Sequence, residues 1–235
     1  MFTKSARYYD KLYAWKDYVA ESANVRALIE EHGRSPGNRL LDVACGTGMH
    51  LAQLSKHYDA SGLDLDENLL AIARTRCPDL AFHHADMRDF DLGETFDVVT
   101  CLFSSIAYII EYDDLVSAFR AFYRHLAPGG AAIVEGFIRP EDWKPGHIHA
   151  LHVDEPDLKI TRMNVSQRRD PLVHMEFHYL IGTKDGVTHE TELHVSRLYS
   201  DAEFQSAFEA AGFDVKLVDE GLMTSRSLFV ARKPE

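Results

Sequence analysis

The chain has 235 residues, 46% hydrophobic and 26% charged, enough for one large domain or a domain carrying an insertion. No apolar run approaches the roughly 18 residues that a membrane helix needs. The 25 basic residues face 37 acidic ones, a net charge of −12, and the longest basic cluster, Gln167-Arg168-Arg169, is too short to anchor a duplex, so nucleic acid is excluded as a bulk partner.

Residues 5–32 read as helical, with Leu12, Val19, Val25, Leu28 and Ile29 among polar residues and Gly33 as a stop. A turn-rich connector leads to an apolar strand at 39–44, a glycine loop at 45–48 and a helix at 49–57. A strand at 60–64, a helix capped by Asp66 and running to Arg76, and strands at 80–84 and 96–103 follow. A helix at 112–126 ends at Ala127-Pro128-Gly129-Gly130, and 131–135 returns as a buried strand. Alternation at this pitch predicts a parallel sheet in an α/β fold.

After Glu135 the texture changes. Segments 147–153, 158–168, 172–183 and 188–197 read as strands separated by hairpin turn chemistry, which predicts an antiparallel insertion. A capped helix at 200–211 is ended by Gly212, and strands at 213–219 and 227–232 close the chain. Cys45, Cys77 and Cys101 are unpaired by spacing and no leader is recognisable, which points to a reducing cytoplasm. His147, His149 and His152 carry no HExxH or zinc spacing. With His147 and His149 on one strand face and His152 on the other, they read as structural or surface histidines, and no metal is expected.

The informative element is Asp42-Val43-Ala44-Cys45-Gly46-Thr47-Gly48, where two glycines between a strand and a helix let a ligand approach outward-pointing N–H groups. A dinucleotide loop would place a third glycine where Leu51 stands, which disfavours a nicotinamide-dependent oxidoreductase. Asp64 ends the next strand, where a carboxylate can accept both hydroxyls of a ribose. Asp86, at the end of the strand after that, can accept from an adenine amino group while Met87 packs on the ring.

In these motifs, and in His125-Leu126-Ala127-Pro128-Gly129-Gly130, the sequence resembles the class I S-adenosylmethionine-dependent methyltransferases. The resemblance implies a Rossmann-like seven-stranded, mostly parallel sheet with an antiparallel strand among the last two. It implies Ala44, Gly46, Thr47 and Gly48, with His50, on the methionine and ribose side, Asp64 and Leu65 at the ribose, and Asp86 with Met87 at adenine.

A closer resemblance is to the N,N-dimethyltransferases of nucleotide-linked 3-amino-deoxysugars, the desosamine and mycaminose type. It is carried by Tyr8-Tyr9-Asp10, Tyr13, Lys16-Asp17-Tyr18, Phe103-Ser104-Ser105-Ile106, Pro140-Glu141-Asp142, Ile160-Thr161-Arg162, Met175-Glu176-Phe177-His178 and Arg226-Ser227-Leu228-Phe229-Val230. This implies a cofactor-binding core with a helical cover over 1–136, an antiparallel acceptor-binding insertion over 137–197 that covers the active site, and a return to the core over 198–235. Tyr9 and Tyr18 would help enclose the cofactor, with Phe103 and Ser104 beside it. Tyr13, Trp143, Arg162 and Arg226 would serve the acceptor, the two arginines facing its diphosphate with guanidinium forks.

The sequence departs from that family at Tyr108, where a histidine is usual. A phenol with a pKa near 10 is a poor base at neutral pH unless perturbed. The expected chemistry is in-line attack of a neutral amine on a methyl sulfonium, driven mainly by positioning, with Tyr108, His178 or Glu176 hydrogen-bonding the nitrogen or a neighbouring hydroxyl. Methylation of another small amine or hydroxyl, or cofactor binding without turnover, are the alternatives. A homodimer is left open by the prevalence of two-fold assemblies.

Overall fold

Leu40, Leu41 and Val43 are fully buried because the strand that carries them lies in the middle of a sheet covered on both faces, as parallel strands require. The computed structural model describes residues 5–218 and 221–235. Strands β1 (Arg39–Val43), β2 (Asp59–Asp64), β3 (Ala81–His84), β4 (Phe96–Cys101) and β5 (Leu126–Ile138) alternate with helices α2 (Tyr18–His32), α3 (Leu51–Leu54), α4 (Glu67–Arg76) and α5 (Tyr112–Arg124), after a short N-terminal helix α1 (Tyr9–Leu12). A second unit of five strands follows: β6 (Ile148–Glu155), β7 (Leu158–Val165), β8 (Gln167–Arg169), β9 (Leu172–Thr183) and β10 (Gly186–Arg197). Helix α6 (Asp201–Ala211) and strands β11 (Asp214–Val218) and β12 (Arg226–Arg232) close the chain.

The core sheet has seven strands in the order β3-β2-β1-β4-β5-β12-β11. β1 to β5 pair in parallel, and β12 runs antiparallel to both β5 and β11. This is the seven-stranded, mostly parallel α/β fold that the resemblance implies. Successive residues of β1 serve opposite faces. Leu41 and Val43 join Phe119, Phe122, Phe204 and Phe208 under α5 and α6, while Leu40 joins Val25, Ile29 and Leu51 under α2 and α3.

The second sheet is antiparallel throughout, ordered β10-β9-β7-β6 with β8 on β9. Its inner face buries Ile160, Phe177, Tyr179 and Ile181 against Leu12 of α1, with Tyr8 and Tyr13 packed on the same cluster. The N-terminal segment is thus a strap between the two sheets.

The expected helix at 5–32 is interrupted. A 3-10 turn (Ala6–Tyr8) and α1 precede a break at 13–17, where the Asp17 carboxylate accepts the Ala20 N–H at 2.9 Å and starts α2 afresh. The expected helix at 49–57 keeps regular geometry only over α3, and the strand at 158–168 divides around Ser166, whose hydroxyl accepts from Asn164 Nδ2. The strand at 131–135 is the middle of the longer β5, whose register against β4 shifts between Phe96 and Val98. β11 ends at Val218, and Asp219 lies outside the described residues.

Candidate active site

At the C-terminal ends of β1, β2 and β3 a cavity of about 210 Å³ is lined by Ala44, Gly46, Asp64, Leu65, Asp86 and Met87, with Tyr9, Ser105 and Tyr108 on its far wall. The loop after β1 turns through left-handed geometry at Ala44 (φ 57°) and Gly46 (φ 56°). A Cβ added at Gly46 would meet no atom within 4 Å, so that position opens onto free space. Asp64 is buried, and its two oxygens accept the N–H groups of Gly46 and Asp66, both at 2.8 Å. Burial pushes its carboxyl up from the ordinary range. Asp86 is clasped by Arg88 at 2.6–3.0 Å, and this guanidinium, which also reaches Asp114, holds the Asp86 carboxyl below its usual value.

Beneath the loop Asp42 is buried and accepts the Thr100 hydroxyl at 2.7 Å; burial pushes its carboxyl up to about 7. A raised native pKa means the folded protein keeps a proton that the unfolded chain releases, so this group's contribution falls as pH climbs from about 4 to about 7. Asp42→Asn is therefore expected to gain stability relative to the parent over that window in urea titrations, and a pH-independent difference would refute the raised value.

A second cavity, of about 300 Å³, lies between the core sheet and the inner face of the antiparallel sheet. Phe103, Ser104, Phe137, Trp143 and Arg226 line one side, and Tyr13, His149, Arg162, Asn164, Met175 and Phe177 the other. The turn at Phe103 (φ 55°) and Ser104 (φ 62°) is held by the buried Glu135, which accepts the Phe103 N–H at 2.6 Å, and by the Ser104 hydroxyl, which donates to the Gly136 carbonyl at 2.6 Å. Tyr9, Ser105 and Tyr108 line both cavities, so the two spaces meet at these side chains.

Arg162 is 7% exposed. It donates to the Tyr13 hydroxyl at 2.9 Å and lies over the Phe177 and Tyr13 rings at 4.5 and 5.4 Å. Among the described residues it forms no ion pair. Arg226 lies over Phe103 at 5.1 Å and 3.8 Å from Glu135. Trp143 Nε1, Asn164 Oδ1 and Arg226 Nη1 are buried around this cavity without a hydrogen-bond partner among the described residues, an arrangement that native interiors avoid unless a ligand or water completes it.

Residues 40–130 match a methyltransferase domain. The chain is 41% identical over 216 residues to the dTDP-3-amino-3,6-dideoxy-alpha-D-glucopyranose N,N-dimethyltransferase of Streptomyces fradiae, covering 91% of this chain and 84% of that enzyme. The chain belongs to this sugar N-methyltransferase family. The crystal structure of Streptomyces venezuelae DesVI superposes with a TM-score of 0.91 at 36% identity over 99% of each chain. S-adenosylmethionine-bound CalS10, described as an amino pentose methyltransferase from Micromonospora echinaspora involved in calicheamicin biosynthesis, superposes at 0.84 with 36% identity over 93% of this chain and 92% of that one.

The methyltransferase is an S-adenosylmethionine enzyme, and its first cavity fits that cofactor. Open space above Gly46, the buried Asp64 carboxylate and a second acid, Asp86, beside Met87 are groups that could hold the cofactor's adenosyl part. Tyr18, Thr47 and His50 are set one layer deeper, around a recess of about 30 Å³ that also touches Tyr9, Gly46 and Phe103. His50 Nε2 hydrogen-bonds the Glu21 carboxylate at 2.8 Å and meets the Tyr18 ring edge-on at 4.8 Å; Glu21 also pairs with Lys16. The Thr47 hydroxyl donates to Asp10 at 2.6 Å, and Asp10 pairs with Arg76, which ties the strap to the glycine loop. Gly48 lies against Ala73, where an added Cβ would come within 3.3 Å; it serves the turn and lines neither cavity.

Two residues expected in the catalytic set are placed elsewhere. Glu176 and His178 lie on the outer face of β9, more than half exposed or nearly so, with His178 stacked on His189, because Phe177 and Tyr179 alternate with them and point inward. Ser105, Asn164 and Met175 were not assigned to the site from the sequence, and His149, read there as structural or surface, also lines the second cavity. Asn164 stands two positions from Arg162 on one strand, so alternation marks it, and the same rule places Met175 beside Phe177. His147 and His149 do share a face, with rings 4.4 Å apart, and His149 reaches the second cavity.

Proposed function

We propose that this methyltransferase transfers two methyl groups in succession to the amino group of a dTDP-linked amino-deoxysugar. The observation that carries the reading is the pair of cavities meeting at Tyr9, Ser105 and Tyr108, one shaped for the cofactor and the other containing a buried guanidinium, Arg162, with no acidic partner among the described residues. The name of the Streptomyces fradiae relative supports the substrate class.

When bound, S-adenosylmethionine supplies an electrophilic methyl group on a sulfonium. Ala44, Gly46, Asp64, Leu65, Asp86 and Met87 hold it, and Tyr9, Tyr18, Thr47, His50, Phe103 and Ser104 close the methionine side. Arg162 and Arg226 receive the diphosphate of the acceptor, with Tyr13 and Trp143 as neighbouring donors. The amine is set at the wall shared by the two cavities, where Tyr108 contacts it. A neutral amine disperses rather than creates charge in this reaction, so alignment supplies most of the rate. We place the enzyme in the cytoplasm, as a homodimer by the prevalence of two-fold assemblies, in antibiotic biosynthesis like the CalS10 relative.

The test is calorimetry with S-adenosylhomocysteine followed by a dTDP-linked 3-amino-deoxysugar, then mass analysis of the methylated product. Binding of both and addition of two methyl groups supports the assignment. Binding of the first ligand alone redirects the acceptor to another small amine or hydroxyl compound.

A further inference from the structure

Tyr108 stands on the 3-10 turn Ser105–Tyr108 after β4, on the wall common to both cavities. Its hydroxyl is 2.7 Å from Nδ1 of His194, a residue of β10 whose side chain is fully buried beside the Phe177 ring. The other ring nitrogen of His194 faces Glu192 Oε2 at 3.7 Å. Glu192 in turn accepts both the backbone N–H of Ser5 at 3.0 Å and the Ser5 hydroxyl at 2.6 Å.

A neutral imidazole carries one N–H and one lone pair, and the surroundings choose which nitrogen holds the proton. The Glu192 oxygen 3.7 Å from Nε2 is too far to accept a hydrogen bond but repels a lone pair there, which favours the proton on Nε2 and leaves Nδ1 as acceptor. The Tyr108 O–H then donates to Nδ1. Its proton is committed to His194, and only the oxygen lone pairs are turned toward the cavities.

We propose that His194 is a positioning residue that makes Tyr108 a hydrogen-bond acceptor for the N–H of the acceptor amine, leaving the nitrogen lone pair free to attack. A phenol free to rotate would instead donate to that lone pair and block it. This rests on the amine-methylating reading above. Burial lowers His194 to about 4, and among the described residues Glu192 and Arg162 are the charged groups that act on it. An imidazole that weak does not take a proton from an alkylammonium, so the pair orients the amine rather than relaying its proton. Burial likewise pushes the Tyr108 phenol up, which keeps its proton in place.

Two measurements decide it. Nitrogen NMR of histidine-labelled protein with S-adenosylhomocysteine at neutral pH should show Nδ1 of His194 unprotonated, with a resonance that moves in Tyr108→Phe; a protonated Nδ1 overturns the proposal whatever the substrate proves to be. In steady-state assays on the amino sugar, His194→Leu should lower kcat about tenfold, the worth of one such hydrogen bond, with S-adenosylhomocysteine affinity unchanged. His194→Gln, which retains an acceptor, should recover part of the loss. In a Tyr108→Phe background His194→Leu should cost less than about twofold, because its effect passes through the phenol; equal costs in both backgrounds overturn the proposal. Absence of amino-sugar turnover by the parent enzyme would instead count against the substrate assignment, and the NMR result would still stand as the test of the pair.

Discussion

Asp64→Ala is expected to weaken S-adenosylhomocysteine binding by about a hundredfold or more. Hydrogen bonds to a charged acceptor are worth about 1.5–3 kcal/mol each, and this carboxylate is the group at the end of β2 that can take both ribose hydroxyls. The substitution also strands the N–H groups of Gly46 and Asp66, which now donate to it at 2.8 Å, inside a buried loop. Asp64→Asn keeps the shape and one acceptor oxygen, and its loss should be intermediate. Calorimetry on both variants checks the order, and near-parent affinity in the alanine variant would show that the ribose is held elsewhere.

Arg162→Met is expected to raise the KM for the nucleotide-linked acceptor by about two orders of magnitude, since a diphosphate depends on charge-assisted hydrogen bonds, while leaving S-adenosylhomocysteine affinity unchanged. The melting temperature should hold or rise. The guanidinium is buried over two aromatic rings with no ion pair among the described residues, and methionine preserves the packing while removing the cost of burying the charge. A lowered melting temperature with an unaltered KM would make Arg162 a packing residue and return the diphosphate to Arg226 alone.

That the glycine loop, Asp64 and Asp86 line one cavity was legible because these parts are local. A strand, a glycine loop and a helix are contiguous in sequence, and Asp64 and Asp86 declare themselves by ending consecutive strands. The insertion was legible from its turn chemistry, and Arg162 was recognisable on β7. The facing of β9 was not. Glu176 and His178 carry the more reactive side chains, yet inward orientation goes to Met175 and Phe177, because a strand of period two takes its register from what it packs against, here the strap around Leu12. The break at Asp17 was hidden by apolar spacing that continues across it. The Tyr108–His194 contact joins residues 86 positions apart, a juxtaposition that only tertiary structure creates.

The position of β12 bears on how this enzyme is made. It pairs with β5 on one side and β11 on the other, and among the described residues β11 has no other neighbour in the sheet. During synthesis from the N-terminus the core sheet therefore stays open at β5 until β12 emerges from the ribosome, long after the antiparallel unit has been translated. Deletion of β12 would strip two strands at once and leave β5, whose central residues Ala131 to Glu135 are fully buried, as an exposed apolar edge of the kind that templates aggregation.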